Sequence, residues 1–212
     1  MDIVLFGIQG SGKGTQGKRI AEKYDMSIFE TGAELRKLSK EHSPLGLKVK
    51  AIINAGYLVP VEVVMEIIEN FLKNVKSDEL VLFDGIPRSD EQMEQFNSLM
   101  ARSGRAFKGL LINIPKEMAM DRLLSRQICE GCKEVFPASY DGEVCEKCGG
   151  KLVKRADDNE DSILTRLSAF VNETMPVIKK YKTNNQMIDI DGTGSIDNVT
   201  ELVFAELNKI FA

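Results

Sequence analysis

The chain has 212 residues, 43% hydrophobic and 28% charged, with a net charge of −4 at neutral pH. That length builds one sizeable core, or a core with small appended modules, and no apolar run approaches the roughly 20 residues of a bilayer span. The acidic balance argues against a general binder of nucleic acid or anionic membrane, so an anionic ligand must be met by a local cluster of cations.

Met1–Leu5 is a short apolar run that predicts a buried strand, and Gly17–Tyr24 has helical spacing. Between them lies Phe6–Gln16, FGIQGSGKGTQ, and a strand, a glycine-rich turn and a helix in that order make a phosphate-binding loop credible. Gly7, Gly10, Gly12 and Gly14 keep side chains out of the way, so successive backbone N–H groups can turn inward on phosphate oxygens. Lys13 adds a mobile point charge, and the helix offers its positive end. The pattern G-x4-G-K-[ST] holds from Gly7 to Lys13, but Gly14 stands where the hydroxyl residue belongs and Thr15 follows one place later. A turn without a ligand is the competing reading, although such glycine density is costly in a plain connector.

Ser27–Glu30 predicts a second strand, and Thr31 with Glu34 has the form of a capping box opening a helix. Helical segments continue to about Ala55 with a break at Ser43–Pro44. Gly56–Pro60 interrupts, and Pro60 suits the first turn of a helix reaching about Lys76. Glu79–Phe83 reads as a central parallel strand running into the loop Asp84–Arg88. A helix over Ser89–Met100, a strand over Gly109–Ile114 and a helix from Pro115 to about Gln127 follow. Ile128–Lys154 lacks helical periodicity and is rich in Cys, Gly and turn residues, the signature of an inserted small module. The spacing then predicts a long helix over Asp157–Tyr181 disturbed at Met175–Pro176, a strand over Gln186–Ile190 and a closing helix over Ile196–Phe211. Strands alternating with helices imply a parallel sheet covered on both faces, with ligands beyond the strands' carboxyl ends. Three loops lie there: Gly7–Thr15, Asp84–Arg88 and Asp191–Ser195.

Asp84, directly after a buried strand, is where a phosphate-loop protein places its magnesium-organising carboxylate; a simple turn before Gly85 is the alternative. Arg88 follows, held by Pro87. Arg122 and Arg126 are four apart on one helix face, and Arg155 and Arg166 share a side if their helix reaches back to Arg155. Singly these are surface charges; together, in an acidic chain, they fit the clamping of polyphosphate oxygens. No Cys–His or Ser–His arrangement is present, and His42 lies in a polar stretch. An acceptor that is itself a phosphate needs no general base, so positioning and charge neutralisation would carry catalysis.

Cys129-x2-Cys132 and Cys145-x2-Cys148 have the spacing of a tetrahedral zinc site with four thiolate ligands, structural because no coordination position is left open. Disulfides are the rival. The chain enters its first strand without a basic region or signal core, so a cytoplasmic setting is expected, and this disfavours them. The acidic residues Glu130, Glu134, Asp141, Glu143 and Glu146 do not suit a zinc ribbon on a nucleic-acid backbone.

Together these residues resemble the bacterial adenylate kinases with a zinc-bearing lid, over essentially the whole chain. GxPGxGKGTQ is matched by Gly7–Gln16 with Gln9 for proline, and Gly14 is normal there. STGDxLR is matched at Thr31, Gly32 and Arg36, with Glu30 and Ala33 departing. DGFPR is matched by Asp84–Arg88 with Ile86 for phenylalanine. The resemblance implies an α/β, three-layer phosphate-loop fold with a five-stranded parallel sheet, comprising core segments 1–30, 61–127 and 155–212. It adds a helical nucleoside-monophosphate insertion at 31–60 and a zinc lid at 128–154.

ATP would be held by Gly10–Thr15, Arg122, Arg126, Val135, Phe136 and Gly194, the last in the loop Asp191–Gly194 beside the adenine. AMP would be held by Thr31, Arg36, Tyr57, Leu58, Val59, Gly85, Ile86, Pro87, Arg88 and Gln92, with Arg155 and Arg166 shared. Lys13, Asp84, Arg88, Arg126, Arg155 and Arg166 would carry catalysis, and Asp157–Asp158 match paired aspartates, Asp157 also suiting a helix cap. The implied chemistry is Mg-ATP plus AMP giving two ADP, in a monomer, with no nucleic acid or membrane partner. A GTP-using or other nucleoside monophosphate kinase is the near alternative, and a non-catalytic nucleotide sensor the remote one.

Overall fold

The computed structural model describes residues 1–137, 140–155 and 158–211. The chain opens with strand β1, Asp2–Phe6, buried throughout. After the glycine-rich loop come helix α1 (Lys13–Tyr24), strand β2 (Met26–Glu30), helices α2 (Thr31–Leu38), α3 (Pro44–Asn54) and α4 (Val61–Leu72), and strand β3 (Leu80–Asp84). Helix α5 (Asp90–Arg102), strand β4 (Phe107–Asn113) and helix α6 (Lys116–Ser125) lead to three short strands, β5 (Gln127–Cys129), β6 (Val135–Phe136) and β7 (Leu152–Val153). Helix α7 (Glu160–Ala169), a π-helical segment (Phe170–Thr174), helix α8 (Met175–Thr183), strand β8 (Met187–Asp191) and helix α9 (Ile196–Phe211) complete the chain.

Five strands form one parallel sheet in the order β2-β3-β1-β4-β8. Side chains alternate across a strand, so each strand feeds both faces. Ile3, Leu5, Leu82, Leu110 and Ile112 pack with Ile20 of α1 and Val199, Val203 and Leu207 of α9. Val4, Phe6, Val81, Phe83 and Leu111 pack on the opposite face with residues of α4, α5, α7 and α8. The phosphate-loop candidate leaves the central strand and Asp84 ends its neighbour, so the two loops meet at the carboxyl edge. At the opposite edge Asp2 accepts from Arg105 Nε at 2.7 Å and from Val81 N at 2.9 Å, closing the far end of the sheet.

Several local expectations are corrected. Thr31 is already the first residue of α2, its cap is Glu30, and the Thr31 hydroxyl makes no hydrogen bond, so the capping box does not form. Pro60 is the cap of α4 rather than a residue of its first turn. Asn159 caps α7 by accepting from Ser162 N, so the helix does not reach back to Arg155, and Arg155 and Arg166 do not share a helix face. Asp157 lies outside the described residues. The disturbance expected near Pro176 begins six residues earlier, at Phe170. Proline lacks the donor that would reach residue 172 and crowds that carbonyl, and the wider π turn absorbs both. Ser43 caps α3 by accepting from Gly46 N at 3.0 Å, with Pro44 at the first helical position.

Candidate active site

The loop after β1 is shaped by backbone rather than side chains. Gly7, Gly10 and Gly12 have φ of 149°, 86° and 95°, in or near the region that disfavours a Cβ, and at Gly10 a Cβ would also lie 2.8 Å from the Ala119 carbonyl. Gly12 caps α1 with no side chain, leaving the first N–H groups of that helix open to an anion. Gly14 is exposed and Thr15 partly so. Lys13 folds back across the loop, donating from Nζ to Gly7 O at 2.6 Å and Ile8 O at 3.2 Å. Burial pushes its ammonium down to about 8, against the attraction of Asp84 and with the repulsion of Arg88 and Arg126. Its charge is thus poorly compensated by the protein alone, which suits an anionic ligand.

Asp84 closes β3, and burial pushes its carboxyl above the usual carboxylate range, opposed chiefly by Lys13. A cation nearby would reverse that penalty, so the carboxylate fits a magnesium-bound water. Gly85, with φ 88°, turns the chain sharply, and a Cβ there would lie 2.7 Å from the Arg88 guanidinium. Arg88 donates from Nε to Gly85 O at 2.8 Å, its N–H is held by Gln92 Oε1 at 2.9 Å, and Thr174 donates to its carbonyl at 2.9 Å. Burial depresses its proton affinity; Asp84 opposes this, while Arg166, Arg36 and Arg155 add to it. Three further guanidiniums are therefore felt at Arg88. Ile86 and Pro87 are buried beneath it.

Asp158 organises the second rank. It accepts from Arg126 Nε at 2.6 Å and Nη2 at 2.9 Å, and from Arg166 Nη2 at 3.2 Å. Arg166 also donates to Ser162 O and Oγ at 3.2 and 3.0 Å. Arg122 reaches Gly10 O and Gly192 O at 3.5 Å, joining the phosphate loop to the last loop, where Gly194 precedes α9. The acceptor-side candidates divide: Thr31 and Val59 are buried, Leu58 is partly buried, and Tyr57 is 66% exposed. Val135 is exposed, whereas the Phe136 ring packs with Cys129, Cys145 and Tyr140 inside the small module, and Phe136 is the register partner of Gln127 on β5.

Two features were not legible in the sequence. Ser11 Oγ, Gln9 Oε1 and Thr31 Oγ1 are buried without a hydrogen-bond partner among the described residues, a pattern of groups awaiting a ligand. Gly56, with φ 82°, abuts α7 so closely that a Cβ would lie 2.6 Å from Ser162 O. The first could have been suspected from the loop's polar positions; the second joins residues a hundred positions apart.

The Sγ atoms of Cys129, Cys132, Cys145 and Cys148 lie within 4.8 Å of one another, with pairs at 3.4 and 3.5 Å. A disulfide needs ~2.05 Å, whereas thiolates about 2.3 Å from a shared ion lie about 3.8 Å apart. The two knuckles are built alike. Lys133 N donates to Cys129 O at 3.1 Å and Gly149 N to Cys145 O at 2.8 Å, and both donors have positive φ. Burial would raise the Cys129 thiol, but N–H groups of Cys132 and Gly131 and the Cys148 thiol outweigh it, bringing it to about 6. Cys132 goes the other way, to about 12: a backbone bond at Glu134 favours its thiolate, but burial and the neighbouring thiols outweigh it, so four thiolates side by side call for a cation between them.

The chain matches the family model described as adenylate kinase over residues 5–186. It is 36% identical to the adenylate kinase of Clostridium tetani (strain Massachusetts / E88), covering 99% of this chain and 100% of that protein. It is 35% identical to the adenylate kinase of Geobacillus sp. (strain WCH70), covering 99% and 98%, and 34% identical to that of Kosmotoga olearia (strain ATCC BAA-1733 / DSM 21960 / TBF 19.5.1), covering 99% and 100%. With the phosphate loop, the Asp84–Arg88 turn and the converging arginines in place, the chain belongs to the adenylate kinase family.

Proposed function

We infer that the protein transfers a phosphoryl group reversibly between Mg-ATP and AMP, giving two ADP. The observation that carries this is the setting of Arg88: its guanidinium lies within electrostatic reach of Lys13 on the donor side and of Arg36, Arg155 and Arg166 around the acceptor. A protein that only binds ATP has no use for a cation shared by two phosphate sites. The three unpartnered buried polar atoms add support, since they line both halves.

In this reading the N–H groups of Gly10–Thr15 and the Lys13 ammonium hold the ATP phosphates, and Arg122, Arg126, Val135, the Phe136 backbone and Gly194 surround the rest of the nucleotide. Thr31, Arg36, Tyr57–Val59, Gly85–Arg88 and Gln92 hold AMP. Arg88, Arg126, Arg155 and Arg166 neutralise charge on the transferring group, and the anionic acceptor phosphate attacks without a general base. Asp84 would orient magnesium through water, the cation neutralising charge between the phosphates. Residues 31–60 act as the acceptor domain and 128–154 as a lid that excludes water, both carried on the remaining core. Cys129, Cys132, Cys145 and Cys148 bind structural zinc. One chain supplies both halves of the site, so a monomer working in the cytoplasm on ATP, AMP and ADP suffices.

Purified protein with ATP, AMP and Mg should form ADP; folded protein that forms none overturns the reading. A panel of donors (ATP, GTP) and acceptors (AMP, CMP, UMP, GMP) tests preference. Because Ala33 and Ile86 depart from the family pattern beside the acceptor, the acceptor arm is the more informative.

A further inference from the structure

We propose that Glu30 sets the affinity for the acceptor: it occupies Arg36 in the free enzyme and must be displaced by the acceptor phosphate. The inference rests on the acceptor site assigned above. Glu30 ends β2 and is the register partner of Asp84 on β3, so two carboxylates stand at neighbouring strand ends. Arg36 donates from Nη2 to Glu30 Oε1 at 2.8 Å. The same guanidinium lies over the first turn of α2, where a Cβ on Gly32 would be 3.0 Å from Nη1. Arg36 is thus folded back on its own helix with its charge already met. The Glu30 carboxylate is also among the charges that raise the proton affinity of Lys13 and Asp84, placing it in reach of the transfer centre.

A carboxylate thus stands at the strand end, on the guanidinium that in the assigned site would receive the acceptor phosphate. A nucleoside monophosphate is close to a dianion at neutral pH and outcompetes a single carboxylate for a planar guanidinium. The exchange sacrifices the existing pair, and the displaced carboxylate still repels the bound phosphate. At 45% exposure the Glu30 side chain has solvent to move into. Acceptor affinity is lowered as a result, and the enzyme responds over a higher range of AMP concentration than one with serine here.

The test compares wild type with Glu30→Gln, Glu30→Ser and Glu30→Asp by calorimetric titration with AMP alone, alongside steady-state ADP formation. The Gln and Ser variants should bind AMP at least fivefold more tightly and show a matching fall in KM for AMP. KM for ATP should move less than twofold, and the Asp variant, which keeps the charge, should stay near wild type. An enzyme that forms ADP, yet whose Gln and Ser variants bind AMP equally or more weakly, overturns this inference alone. Wild-type protein that neither binds AMP nor forms ADP overturns the assigned function as well.

Discussion

The main sheet and the cysteine module solve the same problem with different means. The sheet buries apolar side chains on both faces, from Ile3 and Leu207 on one to Phe83 and Ile178 on the other, and holds the phosphate loop and Asp84 at one edge. The module, with β5 between β6 and β7, buries three apolar side chains among the described residues, and two of these are cysteines. So small a core does not hold a fold without a staple. The lesson concerns division of labour: the sheet can hold charge in unfavourable places because its packing outweighs the strain, whereas the module's first task is its own order.

Substitutions should separate the two. Lys13→Ala is expected to lower kcat/KM on the order of 100- to 1,000-fold with little change in melting temperature, since it also removes a poorly solvated charge. A large loss of stability would mean that Lys13 serves the loop rather than the phosphate. Next in size, Cys145→Ser should abolish stoichiometric metal binding and unfold the module, lowering activity about 10- to 100-fold. Far-UV circular dichroism of the sheet should persist, and a single cooperative collapse of the whole protein would contradict the division. Wild type treated with a chelator should follow the same course.

pH probes the sheet's side. Because burial brings Lys13 to about 8, the free enzyme loses that charge as pH rises through this value, and kcat/KM for ATP should fall above it. Stability runs the other way. A lysine whose folded value lies below its unfolded one of about 10.4 costs stability while charged in both states, and the cost is relieved between about pH 8 and the unfolded value. Gly56→Ala places a Cβ against Ser162 O at a positive φ and should cost about 1–3 kcal/mol. If residues 31–60 hold the acceptor as proposed, it should also raise KM for AMP more than KM for ATP. The smallest effect belongs to Glu134→Gln. Glu134 accepts from the exposed Lys18 on α1 at 2.9 Å, tying module to core, and from Lys147 of the module itself at 2.7 Å. Its loss should change lid docking by under about 1 kcal/mol and vanish at high salt.

The sequence made the architecture legible because its signals are local. Val81–Phe83 and Leu110–Ile112 are continuous apolar runs, and the glycines and cysteines sit at spacings that only a few structures require. The candidate site was legible in its parts: the structure brings Lys13, Asp84 and Arg88 to one edge of the sheet and clusters the four cysteine sulfurs. Their grouping was less so. Arg155 and Arg166 are brought to Arg88 by tertiary packing, not by a shared helix. Gln16 bonds Ile196 O at 2.9 Å and Thr200 at 2.8 Å, fixing α1 to α9 across some 180 residues, and no periodicity announces such a partner. The Thr31–Glu34 pattern misled because β2 runs directly into α2, leaving no room for Thr31 outside the helix. The π segment was misplaced because a proline acts on the turn before it.

The chain has no tryptophan and four tyrosines, and their placement has an optical consequence. Tyr57 stands exposed on the acceptor segment. Tyr140 stacks on Phe136 in the cysteine module with centroids 4.4 Å apart and donates to Val144 O at 2.7 Å. Tyr24 and Tyr181 belong to the main body, the latter buried with its hydroxyl on Asn97 at 2.7 Å. Each of the two appended segments therefore carries its own chromophore against a background free of indole. Tyrosine-to-phenylalanine variants, taken one at a time, turn near-ultraviolet absorbance and emission into separate readouts of acceptor docking, module order and global unfolding, with no foreign label attached.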